Sequence, residues 1–112
     1  MSDRELLELA AKAAGIDAHV TEWSSTVEDD EGDYLKPWNP LTDDGDALRL
    51  AVTIGERFGA TLTITRSGIV LYYGNSRLYE YRDNDDAKPF DFNAATRRAI
   101  VRAAAEIGRN MT

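Results

Sequence analysis

Residues 60–82 read ATLTITRSGIVLYYGNSRLYEYR. Leu62 and Ile64 alternate with Thr61, Thr63 and Thr65, the period of two expected of a strand with one buried face. Ser67-Gly68 supplies a turn into the β-branched and aromatic run Ile69–Gly74, and Gly74-Asn75-Ser76 supplies a second turn into Arg77–Arg82. In that last segment Tyr79 and Tyr81 share one face, and Leu78 and Glu80 the other. The stretch predicts a three-stranded antiparallel meander.

Upstream, Ala47, Leu50, Ala51, Ile54 and Phe58 repeat every 3.6 residues, so a helix is expected from Thr42 or Asp43 to about Phe58, closed by Gly59. Gly55 inside it marks close packing. Residues 24–41 lose periodicity and collect acids, Gly32, Pro37 and Pro40, which predicts a long acidic loop. Before it, Ile16, Ala18 and Val20 alternate with polar residues as a strand running to about Trp23. Residues 3–14 carry the broad apolar face of a first helix, with Ser2 or Asp3 as cap and Gly15 past its end. Downstream, residues 83–91 are polar and contain Pro89; Asn93 is a favourable cap for a last helix. Ala95, Ala99, Ile100, Ala103, Ala104 and Ile107 form its buried stripe. Gly108 sits where that helix is expected to fray, leaving residues 109–112 loose. The expected order is αβαβββα: one α+β domain over residues 1–112, with the meander packed on helices.

The chain has 112 residues, enough to bury roughly 65% of its unfolded surface around one core. It has no cysteine, which excludes a disulfide framework, a thiolate metal site and a cysteine nucleophile. No apolar run approaches the ~20 residues that span a bilayer, and the N-terminus lacks the pattern of a signal peptide. The expectation is a cytoplasmic protein without membrane contact.

The net charge of −7 is unevenly distributed: residues 28–46 hold eight acids against the single Lys36, and the rest of the chain sums to neutrality. A groove that neutralises phosphates needs the opposite balance, so direct nucleic-acid binding is disfavoured and a partner with a basic surface is favoured. The last helix is locally basic, with Arg97, Arg98, Arg102 and Arg109 against Glu106. These arginines are read as a solvated face or as counter-charges to the acidic segment.

Candidate chemistry is sparse. Asp43, Asp44 and Asp46 could serve a hard cation, but their spacing from Gly45 fails the calcium-loop pattern; the alternative is that they fill the first turn of a helix, where free amides favour negative charge. Asp86-Ala87-Lys88 is the only acid-x-lysine triplet and falls in an expected loop. His19, the only histidine, alternates onto the more exposed side of its strand, which argues against a Ser–His pair. No phosphate-binding glycine motif and no cofactor signature is present.

Trp38 lies between Pro37 and Pro40. It either pins the acidic loop to the core, with Leu41 as a staple, or stands exposed beside Tyr34 as an interaction hot spot. The segment WNPLTDDGDALRLA (residues 38–51), followed by a strand pair and the closing ATRRAIVRAAAEIG (residues 95–108), resembles small bacteriophage and prophage proteins of unassigned function. More loosely, it is similar to the NinX-like accessory proteins. The resemblance spans roughly residues 34–108 and implies a setting in a phage-infected or lysogenic bacterium; it brings no catalytic residues.

The leading expectation is a non-enzymatic accessory protein that binds a host or phage protein through Asp29, Asp30, Glu31, Asp33, Tyr34 and Trp38, as monomer or homodimer. One alternative is an acidic nucleic-acid mimic that uses residues 28–46 and 83–91 to occupy a basic groove. A weaker one is a metal-dependent hydrolase using Asp43, Asp44, Asp46 or Asp86.

Overall fold

A computed structural model describes residues 2–21, 24–28, 35–65, 68–74, 76–82 and 91–111. The chain is α+β, in the order α1 (Asp3–Ala14), β1 (Ala18–Val20), β2 (Ser25–Glu28), β3 (Leu35–Pro37), α2 (Asp44–Phe58), β4 (Ala60–Thr65), β5 (Gly68–Tyr73), β6 (Ser76–Arg82) and α3 (Phe92–Arg109). The strands form two antiparallel sheets, β1-β2-β3 and β4-β5-β6. The second is the expected meander, with Leu62 opposite Leu71 and Ile64 opposite Ile69.

The first sheet departs from expectation, because residues 24–41 contain two strands rather than one uninterrupted loop. Strand β2 pairs with β1 (Ala18 opposite Val27) and with β3 (Val27 opposite Lys36). Only Val27 of β2 is buried, so these strands are held mainly by backbone pairing and leave no alternation to read. Pro37 is tolerated because β3 is an edge strand. Strand β1 is shorter than expected. It keeps the anticipated alternation, with His19 exposed between half-buried Ala18 and Val20.

Local signals explain the helix ends. Ser2 caps α1 by accepting from the Glu5 amide at 3.1 Å, and Asp43 caps α2 by accepting from the Asp46 amide at 2.8 Å. Gly15 and Gly59 close these helices at φ 72° and 70°, the left-handed region that glycine enters without strain. Helix α3 begins two residues earlier than expected: Asp91, not Asn93, caps it through the Ala94 amide at 3.0 Å. It also continues unfrayed through Gly108, which is buried.

Helix α3 is the centre of the core and packs against α1, α2 and the second sheet. Its buried set extends the expected stripe by Val101, Ala105 and Gly108, covering most of its circumference. Against it α1 presents Leu6, Leu7, Ala10, Ala13 and Ala14, and the second sheet presents Ile69 and Leu71. The small side chains let the two terminal helices approach closely. Lys12 then ties the chain end down by donating to the Met111 carbonyl at 3.0 Å.

Candidate interaction surfaces

The chain enters α2 through a corner built on four residues. Trp38 is 5% exposed and belongs to the core cluster, while its backbone amide donates to the Ser25 carbonyl of β2 at 2.9 Å. Pro40 is fully buried behind it. Asn39 folds its side chain over the proline, so that Oδ1 accepts from the Leu41 amide at 3.0 Å and its carbonyl accepts from the Thr42 and Asp43 amides. Asp46 closes the corner from inside the helix, accepting from the Asn39 amide at 2.9 Å and from the Arg49 guanidinium at 2.6 Å.

Of the two roles open to Trp38, its burial is that of the pin. The ring is not presented to a partner, which removes it from the expected exposed surface. The remaining residues of that surface, Asp29, Asp30, Glu31, Asp33 and Tyr34, lie outside the described residues, as do Asp86 and Lys88.

The carboxylates at the start of α2 are divided among three tasks. Asp43 caps the helix, Asp44 pairs with Arg97 of α3 at 2.5 Å, and Asp46 joins Arg49 to the corner. Among the described residues no group of three or more histidine, cysteine, aspartate or glutamate side chains is placed to hold a metal ion. The arrangement is the helix-terminus use of negative charge. Arg97 does more than balance Asp44, since its Nε donates to the Leu41 carbonyl at 2.9 Å and so clamps α3 to the corner. Arg98 meets Asp3 at 3.4 Å, and Arg109 meets Glu106 at 3.7 Å.

Asp46 is the only charged side chain among the buried residues described, and the corner depends on it. Asp46→Ala strands the Asn39 amide and is expected to lower stability by about 1–3 kcal/mol in chemical denaturation. Asp46→Asn keeps an acceptor oxygen and is expected to recover most of that loss. The Arg49 side chain is 72% exposed, so its ion pair contributes little.

A second surface escaped the sequence pattern. Leu48 and Val52 lie one turn apart on a flank of α2, 63% and 51% exposed, beside the buried stripe rather than on it. Leu48 faces Leu62 and Ile64 of β4 and Phe92 and Ile100 of α3 across an open groove of about 320 Å³, with Asp44 and Arg97 at its rim. Ile64 is 53% exposed although its cross-strand partner Ile69 is fully buried. The apolar residues at positions 48 and 52 were readable, but their exposure depends on where β4 ends its sheet.

No helix among the described residues is long and apolar enough to cross a membrane. Comparison with family models, with curated proteins and with solved structures gives no match to this chain.

Proposed function

We propose that this chain is a non-enzymatic, phage-type accessory protein that binds a host or phage protein bearing a basic surface. The observation that carries this reading is the concentration of negative charge in one anchored segment. Residues 28–46 hold the whole net charge of −7, and their C-terminal end is fixed to the core by Trp38 and Pro40. Clustered carboxylates raise the encounter rate with a positive partner and restrict its orientation. Glu28 on β2 and Asp43 at the head of α2 are exposed carboxylates that flank residues 29–33 in the sequence. The pairing of Asp44 and Asp46 with arginines favours this reading over nucleic-acid mimicry, because it withdraws two carboxylates from a phosphate-like array.

The test is capture from nuclease-treated bacterial lysate at low and high salt. The immobilised chain is compared with a Glu28→Lys/Asp29→Lys/Asp30→Lys variant of unchanged circular dichroism and melting temperature. A basic protein held by the parent chain and lost on charge reversal is expected. Equal capture by both chains removes the acidic segment as the binding surface. Binding that vanishes steeply with salt and competes with DNA transfers the assignment to the mimic.

A further inference from the structure

The edge of the second sheet carries an inference independent of the acidic segment. We propose that β4 pairs antiparallel with β4 of a second copy of this chain, about a two-fold axis through Leu62, to give a continuous six-stranded sheet.

Strand β4 ends the sheet, with β5 as its one strand neighbour among the described residues. Its six residues, ATLTIT, include neither a charge nor a proline, two of the usual safeguards against edge pairing. The opposite edge strand, SRLYEYR, carries Arg77, Glu80 and Arg82. The contrast singles out β4 as the edge suited to pairing.

Register defines which backbone groups are on offer. Thr65 and Gly68 are the last paired residues of the β4–β5 hairpin and have two residues between them in the chain, which makes them a hydrogen-bonded pair. By alternation Thr63 and Thr61 also bond towards β5, leaving the N–H and C=O groups of Leu62 and Ile64 on the outer edge, with those of Ala60 at its start, where the carbonyl lies against Gly55 of α2. The side chains of Leu62 and Ile64 line the groove. One pair of residues thus presents both the free ladder and the apolar floor.

The strand is complementary to itself. Opposite residues of an antiparallel pair share a face, so a two-fold strand pair keeps its apolar face continuous only when the axis passes through a residue. Centred on Leu62, the pairing sets Leu62 opposite Leu62, Thr61 opposite Thr63, and Ala60 opposite Ile64. The small alanine leaves room for the exposed isoleucine, and threonine faces threonine on the outer side.

Area decides what else must take part. A stable interface covers about 1,000 Å² or more in total, beyond what five paired residues supply alone. The shortfall falls to the flanks of α2, where Leu48 lines the same groove and Val52 lies one turn further on, both more than half exposed. Two such flanks meet above the joined sheet, apolar against apolar, in the isologous arrangement of a two-fold dimer.

The test is sedimentation equilibrium on the full chain, with a dimer of twice 12.4 kDa expected at micromolar concentration. Ile64→Lys and, separately, Leu48→Lys place a charge in the interface at sites exposed in the monomer, and each is expected to raise the dimer dissociation constant roughly tenfold or more. Circular dichroism confirms that each variant is folded. Because the chain has no cysteine, register is read by disulfide formation: Thr61→Cys mixed with Thr63→Cys is expected to cross-link on mild oxidation, and Thr63→Cys alone is not. A monomer at 100-fold higher concentration, roughly 0.1 mM, overturns the proposal. So does a dimer that survives both lysine variants or fails to cross-link between positions 61 and 63. These outcomes leave the acidic segment and its lysate test untouched.

Discussion

Trp38→Ala is expected to destabilise the chain by about 3–5 kcal/mol, the largest effect of any single truncation considered for this protein. The ring is 5% exposed and forms part of the same buried cluster as Val27, Leu50 and Ile100. Removing it empties space that Pro40 and the paired backbone of β2 and β3 cannot fill, since both are fixed by their own contacts. Stability of small domains totals only about 5–15 kcal/mol, so the midpoint of urea denaturation should fall by roughly a fifth or more, with the slope unchanged if the native state stays compact. Trp38→Phe retains most of the volume and is expected to cost less than half as much. If Trp38→Ala instead leaves the denaturation midpoint in place, the ring is not a core element. A loss of the proposed partner binding in Trp38→Ala would therefore follow from lost anchorage, and the charge-reversal variant is the cleaner probe of the surface.

This corner also shows why the sequence was legible in some places and silent in others. Helix α1 was readable to the residue, because Ser2 and Gly15 are local signals whose chemistry does not depend on the rest of the fold. The meander was readable because its alternation and its turns agree. Strands β2 and β3 were not, since the pairing of Thr26 with Pro37 and of Val27 with Lys36 is a property of backbones brought together from either side of residues 29–34. Local composition there spoke for a loop. Trp38 was open to two roles for the same reason: burial is decided by what lies opposite, and nothing in residues 36–41 names it. Asp43, Asp44 and Asp46 were read as either ligands or helix-start charges, and the latter requires only neighbours in sequence plus Arg97, contributed by a distant helix. The groove had no signature, because Leu48 and Ile64 are ordinary apolar residues until the sheet ends beside them.

Gly108→Ala and Gly55→Ala are expected to move stability in opposite directions, although both add one methyl group to a helix. In a helix interior the change from glycine to alanine is itself favourable by up to about 1 kcal/mol. At Gly55 a Cβ would meet the Ala60 carbonyl oxygen at 3.4 Å, an ordinary contact, so that gain should be largely realised. At Gly108 a Cβ would lie 2.9 Å from the Leu9 carbonyl carbon and closer still to its oxygen. These atoms belong to the backbone of α1 and cannot rotate aside. The two terminal helices would have to separate along a contact lined by Ala10, Ala13, Ala103 and Ala104, which are fully buried and have no side-chain length with which to bridge a gap. Overpacking of this kind costs about 1–3 kcal/mol beyond the propensity gain, and the lost contacts along α1 push the effect to the upper end. The expected result is a melting temperature lowered by roughly 8–12 °C for Gly108→Ala and raised by a few degrees for Gly55→Ala. If Gly108→Ala is neutral, α1 does not sit against α3 at this distance. The same comparison explains why a glycine near a helix end, which sequence alone places at a fraying terminus, is here the point at which the first and last helices of the chain are held together.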